Sequence, residues 1–395
     1  MRIAERLQGI QASLTMKVML EAQALRAQGI DIIDLGPGQP DFPSPTAAKE
    51  AGKAAIDSNF TRYTPSAGVD ELRQAIAETY NRRWGTSYSV ENVIVTSGAK
   101  HAIFNVCMAV VELGCEVLVP SPFWVTFPEI VRICGGTPVE TRTEEQDHFV
   151  LKPRALESAV TDKTSTLILN SPNNPTGAVI PGDQLEQIAA WARERNIFVL
   201  SDETYEQFVY DDARHVSIAS IFDQEQDLYT VVGSFSKSYS MTGWRVGYCV
   251  GPSYLIEKIN QLQSHQTGNP ASVSQKAALA ALNDDSAGLD AVRREYAWRR
   301  NYVLDRLGGI PGLDCVPPGG SFYVFPRVIG AMQATGCSNS VEFSQFLLRH
   351  ARVATVPGSA FGYEGHVRIS YAASRSQLAE GFDRIERSIR KASRR

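Results

Sequence analysis

The stretch Tyr229-Thr-Val-Val-Gly-Ser-Phe-Ser-Lys-Ser-Tyr-Ser-Met-Thr-Gly-Trp-Arg-Val-Gly247 joins a strand to a cluster of reactive side chains. Tyr229 to Val232 is apolar and β-branched, the mark of a short buried strand. Behind it come small hydroxyl residues, one lysine, then Gly243 and Arg245. Small residues let a backbone approach a ligand closely, and hydroxyls and a guanidinium are the partners a phosphate takes. A lysine among them can carry a Schiff base to a carbonyl cofactor. Read alone, the stretch also fits a polar loop with a solvated lysine, so its neighbours decide.

Upstream, strands and helices alternate. Val93-Ile-Val-Thr96 reads as a strand, and Ser97-Gly-Ala-Lys100 then opens an apolar-periodic helix through Val111. Such a junction presents unpaired backbone N–H groups to an anion, although most bind nothing. Glu116-Val-Leu-Val119 precedes Ser121-Pro-Phe-Trp124, and Leu167-Ile-Leu169 precedes Asn170-Ser-Pro-Asn-Asn-Pro-Thr-Gly177. Ile197-Phe-Val-Leu200 ends in Ser201-Asp-Glu-Thr-Tyr205. This rhythm predicts an α/β fold, a mainly parallel sheet with helices on both faces. In such sheets ligands sit at the carboxyl ends of the strands. Gly98, Trp124, Asn174, Asp202, Tyr205 and Lys237 all fall there. Singly, Trp124 fits a core aromatic, Asn174 a turn residue and Asp202 a helix cap. Their common position at the ends of one sheet is what marks them as a site.

The segment before the alternation is a helix over 14–28, a short strand at 31–35, and Gly36-Pro-Gly-Gln-Pro-Asp-Phe-Pro-Ser-Pro45. That glycine and proline density makes a shaped loop, either a linker or a backbone contact to a ligand. Tyr63-Thr-Pro-Ser-Ala-Gly68 is an exposed turn carrying an aromatic. Beyond Gly251 the rhythm gives way to helices over 270–282, 289–307, 341–350 and 376–392, with strands at 319–325 and 366–370. This α+β pattern predicts a second, smaller domain. The expected division is 1–45 as an N-terminal segment packing with the small domain, 46–285 as the large domain and 286–395 as the small one.

The chain of 395 residues is long enough for two domains with a large core. Its net charge of -4 gives no electrostatic reason to expect nucleic acid or anionic membrane as a partner. The six cysteines are scattered without a C-x-x-C pair, which favours reduced thiols in a cytoplasmic protein over disulfides or a zinc site. No metal is expected. Arg2, Glu5 and Arg6 precede any apolar run, which argues against a secretory signal.

Together these segments resemble the fold type I pyridoxal-phosphate enzymes, specifically class I aminotransferases of the bacterial aspartate type. The likeness covers essentially the whole chain. It is carried by Gly38-Gln-Pro-Asp-Phe42, Ser97-Gly-Ala-Lys100, Ser121-Pro-Phe-Trp124, Ser171-Pro-Asn-Asn-Pro-Thr-Gly177, Ser201-Asp-Glu-Thr-Tyr205, Ser234-Phe-Ser-Lys237 and Met241-Thr-Gly-Trp-Arg245.

The resemblance implies a seven-stranded sheet and pyridoxal 5'-phosphate as cofactor. It implies that Lys237 bonds the cofactor aldehyde and, once freed, moves the substrate's Cα proton. Asp202 is implied to face the pyridine nitrogen and keep it protonated. Tyr205 and Asn174 are implied to reach the phenolic oxygen and Trp124 to stack on the ring. The phosphate falls to Gly98, Ala99, Lys100, Ser234 and Arg245. Tyr63 matches the tyrosine that reaches the phosphate of the neighbouring subunit, which implies a homodimer with shared sites. Arg368 matches the arginine that grips the substrate α-carboxylate, helped by Gly38 and Asn174. Read from the residues alone, Arg368 also fits a strand residue at the surface.

Substrate identity is less marked. Some aspartate aminotransferases bring a second arginine to the distal carboxylate, and 261–270 contains none. Lys100, His265, Ser13 and Thr15 are the candidates in its place. Aspartate with 2-oxoglutarate is the first expectation. The alternatives are aromatic amino acids, or a carbon–sulfur lyase on the same scaffold. A cofactor-binding regulatory module would need a DNA-binding segment, and none is expected before Leu14.

Overall fold

The structure, a computed structural model, describes residues 4, 7, 9–10, 14–224, 228–284 and 288–394, and for 14–17 and 19 the backbone alone. Its centre is a seven-stranded sheet. The strands lie in the order Val93–Thr96, Gly247–Val250, Tyr229–Ser234, Phe198–Asp202, Thr164–Asn170, Glu116–Ser121, Thr137–Arg142. Gly247–Val250 runs antiparallel to both neighbours, and the other adjacent pairs are parallel.

Apart from the edge strand Thr137–Arg142, the strands are buried on both sides, and their residues alternate between two cores. Leu167 and Leu169 face one core with Val199, Val231 and Leu118, against Leu72, Ile76, Leu185, Ile188 and Ala277 of three helices. Ile168 faces the other with Leu200, Val232 and Val117, against Ile103, Phe127 and Ile259 of three further helices. This double burial is why the strands read as continuous apolar runs rather than as alternating ones.

Within the central sheet one strand departs from the sequence reading. Gly247–Val250 pairs with both Val93–Thr96 and Tyr229–Ser234, where the sequence reading assigned no strand. Four residues beginning with glycine carry too little period to announce a strand. The glycine is required: a Cβ on Gly247 would lie 2.5 Å from the backbone nitrogen of Ala99. The strand therefore passes directly against the start of helix Ala99–Val110.

The C-terminal part has its own core, built on Tyr296, Val303, Leu307, Phe322, Phe343, Ile369, Phe382 and Ile385, which also takes in Ile33 and Leu35. The two-residue strand Ile33–Asp34 pairs in parallel with Val353–Ala354. Val367–Ser370 lies between Val356–Pro357 and Tyr323–Val324, antiparallel to both. The strand expected over 319–325 shortens to Tyr323–Val324. The backbone before it is used elsewhere, since Gly320 N donates to Gly177 O and Ser321 N to Phe208 O. These bonds tie the C-terminal part to two loops at the carboxyl edge of the main sheet. The expected boundary at 285/286 lies outside the described residues.

Candidate active site

The carboxyl ends of the parallel strands, the 36–39 loop and the strand carrying Arg368 enclose a cavity of about 360 Å³. Of the residues expected at a site, Gly38, Ala99, Lys100, Trp124, Asn174, Asp202, Tyr205, Ser234, Lys237, Arg245 and Arg368 line it. Gly98 lies beneath Arg245. Tyr63 does not join them: it stands 97% exposed outside the cavity of its own chain. His265 is exposed on helix Ser253–Gln266 and does not line the cavity, whereas Lys100 does. Ser13 and the side chain of Thr15 lie outside the described residues.

One end of the cavity is built for an anion. Helix Ala99–Val110 starts after Gly98 at φ +89, and no side chain caps its first N–H groups. Those groups and the helix dipole favour negative charge. Arg245 is anchored beside them, Nη1 donating to Thr242 O at 2.9 Å and Nη2 to Ser97 O at 3.4 Å. A Cβ on Gly98 would lie 2.5 Å from Arg245 Nη2, so only glycine lets the guanidinium approach the helix start. Ser234 ends the preceding strand and accepts a bond from Ser236 N at 3.0 Å. That cap starts the one-turn helix Phe235–Ser238, which carries Lys237.

The middle of the cavity holds the titratable groups. Lys237 Nζ donates to Gly38 O at 2.5 Å. Burial, with the charges of Arg368 and Arg245, pulls its pKa down to about 8 against the opposing pull of Asp202. Asp202 is buried, and burial pushes its carboxyl up to about 6 although Oδ1 accepts from Thr204 N at 3.1 Å. Asn170 braces this region, donating from Nδ2 to Asp202 O at 3.0 Å and accepting from Asn174 N at 2.9 Å. Tyr205 Oη lies 2.9 Å from Tyr323 Oη, and burial raises the Tyr205 hydroxyl well above the ordinary phenol range. Lys100 Nζ sits 5.0 Å from the centre of the Trp124 ring. Burial and the neighbouring Arg245 lower the Lys100 pKa.

The other end is built around Arg368, which is 4% exposed. Its Nη1 donates to Asn174 Oδ1 at 2.9 Å and its Nη2 to Gly36 O at 2.6 Å. The guanidinium lies 4.4 Å from the Tyr323 ring centre and 5.0 Å from that of Phe361. Its Nε is buried without a partner, and among the described residues no carboxylate pairs with it. A buried guanidinium held only by neutral oxygens is a ready receptor for a carboxylate.

Sequence reasoning missed Asn170, Thr204, Ser236 and Tyr323, which also line the cavity. The first three stand inside stretches already singled out at strand ends and could have been read there. Tyr323 had no local signal, because its place is set by strand pairing with Val367–Ser370.

A parallel sheet whose strand ends gather a buried lysine, a buried carboxylate, an anion cradle and a fixed arginine defines a class of enzyme. The family model for aminotransferase class I and II matches residues 30–385, and the chain belongs to that family. It is an aminotransferase of the aspartate aminotransferase type. It is 39% identical over 393 residues to an aspartate aminotransferase of Bacillus subtilis, covering all of both chains. It is 42% identical over 389 residues to a probable aspartate/prephenate aminotransferase of Aquifex aeolicus, covering 98% of each. Its structure superposes on the aspartate aminotransferase of Thermus thermophilus with maleate at a TM-score of 0.93 and 38% identity, covering 98% of this chain and 100% of that one.

Proposed function

We propose that the enzyme exchanges an amino group between aspartate and 2-oxoglutarate in two half-reactions, with pyridoxal 5'-phosphate held in the cavity. One observation carries the reading: Lys237, Asp202 and Arg368 line a single cavity with the Gly98–Arg245 cradle at one end. The donor set fits the cofactor. The uncapped N–H groups of 99 and 100, Ser234 and Arg245 suit a phosphate, Trp124 a ring face, and buried Asp202 a cationic ring nitrogen. Asn174 and Tyr205 suit the phenolic oxygen. When bound, the cofactor supplies an aldehyde for the amino group and a ring that accepts the electron pair left at the substrate Cα.

The chain's residues supply the rest. Arg368 binds the α-carboxylate through its fork, with Gly38 and Asn174 beside it, and so aims the Cα–H bond. Lys237 Nζ takes the Cα proton, for which an amine with a pKa of about 8 has a substantial neutral fraction near neutral pH. Asp202 stays ionised beside the cation it stabilises. Lys100, held against Trp124, is the cation in the cavity placed to meet a distal carboxylate. The reading is tested by adding each amino acid to the cofactor-loaded enzyme without a 2-oxo acid. Aspartate is expected to change the visible spectrum stoichiometrically, without continued turnover. Turnover in the absence of a 2-oxo acid would instead indicate a lyase. In the same assay Arg368→Lys is expected to weaken every amino acid by a similar factor, about 2–5 kcal/mol in kcat/KM, because the fork is lost while the charge stays. A loss confined to acidic substrates would assign Arg368 to the distal carboxylate.

The working unit is a homodimer with shared sites, and the exposed Tyr63 reaches the partner's phosphate cradle. Within the subunit, 1–45 acts with the small domain 286–395, and the large domain 46–285 carries the cradle. Pairing of Ile33–Asp34 with Val353–Ala354 supports this division. Free cysteines suit a cytoplasmic setting, and among the described residues no helix is long and apolar enough to cross a membrane. Mixing Lys237→Ala with Tyr63→Ala chains is expected to restore about a quarter of wild-type activity by random pairing, since one site per hybrid is then complete. Absence of recovery despite measured subunit exchange would place Tyr63 outside the partner's site.

A further inference from the structure

We infer that Tyr323 is a positioning residue that acts through Tyr205, its hydroxyl setting how strongly the Tyr205 hydroxyl donates to the cofactor's phenolic oxygen. The inference rests on the proposed function above. Tyr323 is fully buried, and its strand pairs with the strand of Arg368, Ser370 standing opposite Tyr323. Its ring carries the Arg368 guanidinium at 4.4 Å, and its hydroxyl lies 2.9 Å from that of Tyr205. That hydroxyl is also pressed against the 36–39 loop, since a Cβ on Gly38 would lie 2.2 Å from it. The same Gly38 carbonyl holds Lys237. Tyr323 thus touches Arg368, assigned to the α-carboxylate, Tyr205, assigned to the phenolic oxygen, and Gly38, whose carbonyl holds Lys237.

Each hydroxyl has one proton to give. Once Tyr205 donates to the phenolic oxygen, Tyr323 becomes the donor to Tyr205. A donor at the back of a hydroxyl strengthens the bond made at its front. The phenolic oxygen carries its full negative charge when the proton on the Lys237–cofactor bond is lost. Weakening the Tyr205 bond therefore destabilises the deprotonated form and raises the pH at which that proton leaves. The charged or titratable groups facing Lys237 are Asp202, Arg368, Arg245 and Lys100, and those facing Tyr205 are Tyr323, Arg368 and Asp202. Tyr323→Phe removes the Tyr323 hydroxyl alone, leaves the other groups in place and keeps the ring beneath Arg368.

The test is a pH titration of the visible absorbance band of the cofactor-loaded enzyme. In Tyr323→Phe the midpoint is expected to rise by about 0.5–1 pH unit, the equivalent of one net hydrogen bond. KM for the amino acid is expected to change less than about twofold, because the Arg368 fork is untouched. Adding Tyr323→Phe to Tyr205→Phe is expected to produce no further rise. Difluorotyrosine at 323, a more acidic phenol and stronger donor, is expected to lower the midpoint, and this arm stands if Tyr323→Phe fails to hold cofactor. An unchanged midpoint with either replacement overturns the inference, as does a full rise in the Tyr205→Phe background. A wild-type protein that forms no visible band would overturn the proposed function itself, and this inference with it.

Discussion

Lys237→Ala is expected to reduce transamination by about ten-thousand-fold or more, with the fold intact. In the proposed reaction the lysine would combine a nucleophile with an acid–base group, and the acid–base role alone contributes about a hundred- to ten-thousand-fold. The other lysine lining the cavity, Lys100, has its Nζ over the Trp124 ring, 5.0 Å from the ring centre. Stability should hardly change. Among the described residues the Lys237 side chain makes one hydrogen bond, to Gly38 O, and its charged form is disfavoured by burial beside Arg368 and Arg245. Removing a cation that the fold destabilises costs little. Activity and thermal melting on the same preparation separate the two effects. Activity within tenfold of wild type would contradict the assignment, whereas a collapsed melting temperature would show that the lysine is structural.

Asp202→Ala is expected to bind cofactor yet slow Cα proton removal by about a thousand-fold, the scale of losing one electrostatic group aimed at developing charge. Asp202 is the buried carboxylate of the cavity, and Thr204 N and Asn170 Nδ2 hold its side chain and its backbone. The alanine variant keeps the proposed phosphate cradle of 99, 100, Ser234 and Arg245, so phosphate binding is expected to persist. A cofactor analogue methylated at the ring nitrogen carries its own fixed charge and is expected to restore a large part of the rate. An undiminished single-turnover rate in Asp202→Ala would refute the electronic role.

Much of this site could be read along the chain because parallel strands end where ligands bind. Each end is marked by a compact run of small, hydroxylated or amide residues, as in Ser171–Gly177 and Ser201–Tyr205. Such runs are local, so sequence alone brings out Asn174, Asp202 and Lys237. What could not be read is set by distant pairings. Arg368 reaches Gly36 across 332 positions and Tyr205 meets Tyr323 across 118, with no period linking them. The antiparallel strand Gly247–Val250 was hidden by its length, and its opening glycine proves to be a packing requirement against Ala99. Tyr63 shows a further limit: an aromatic in a Pro/Gly turn is readable as exposed, but its exposure in one chain leaves its partner unread.

The central claim is that Lys237 is the residue that bonds the cofactor. It is tested most directly by loading the wild-type enzyme with pyridoxal 5'-phosphate, reducing with borohydride and mapping the labelled peptide by mass spectrometry. The account predicts one stable adduct per chain, on Lys237, and none in Lys237→Ala. Labelling of Lys100 or another lysine in its place, or no adduct after a visible band has formed, would contradict it.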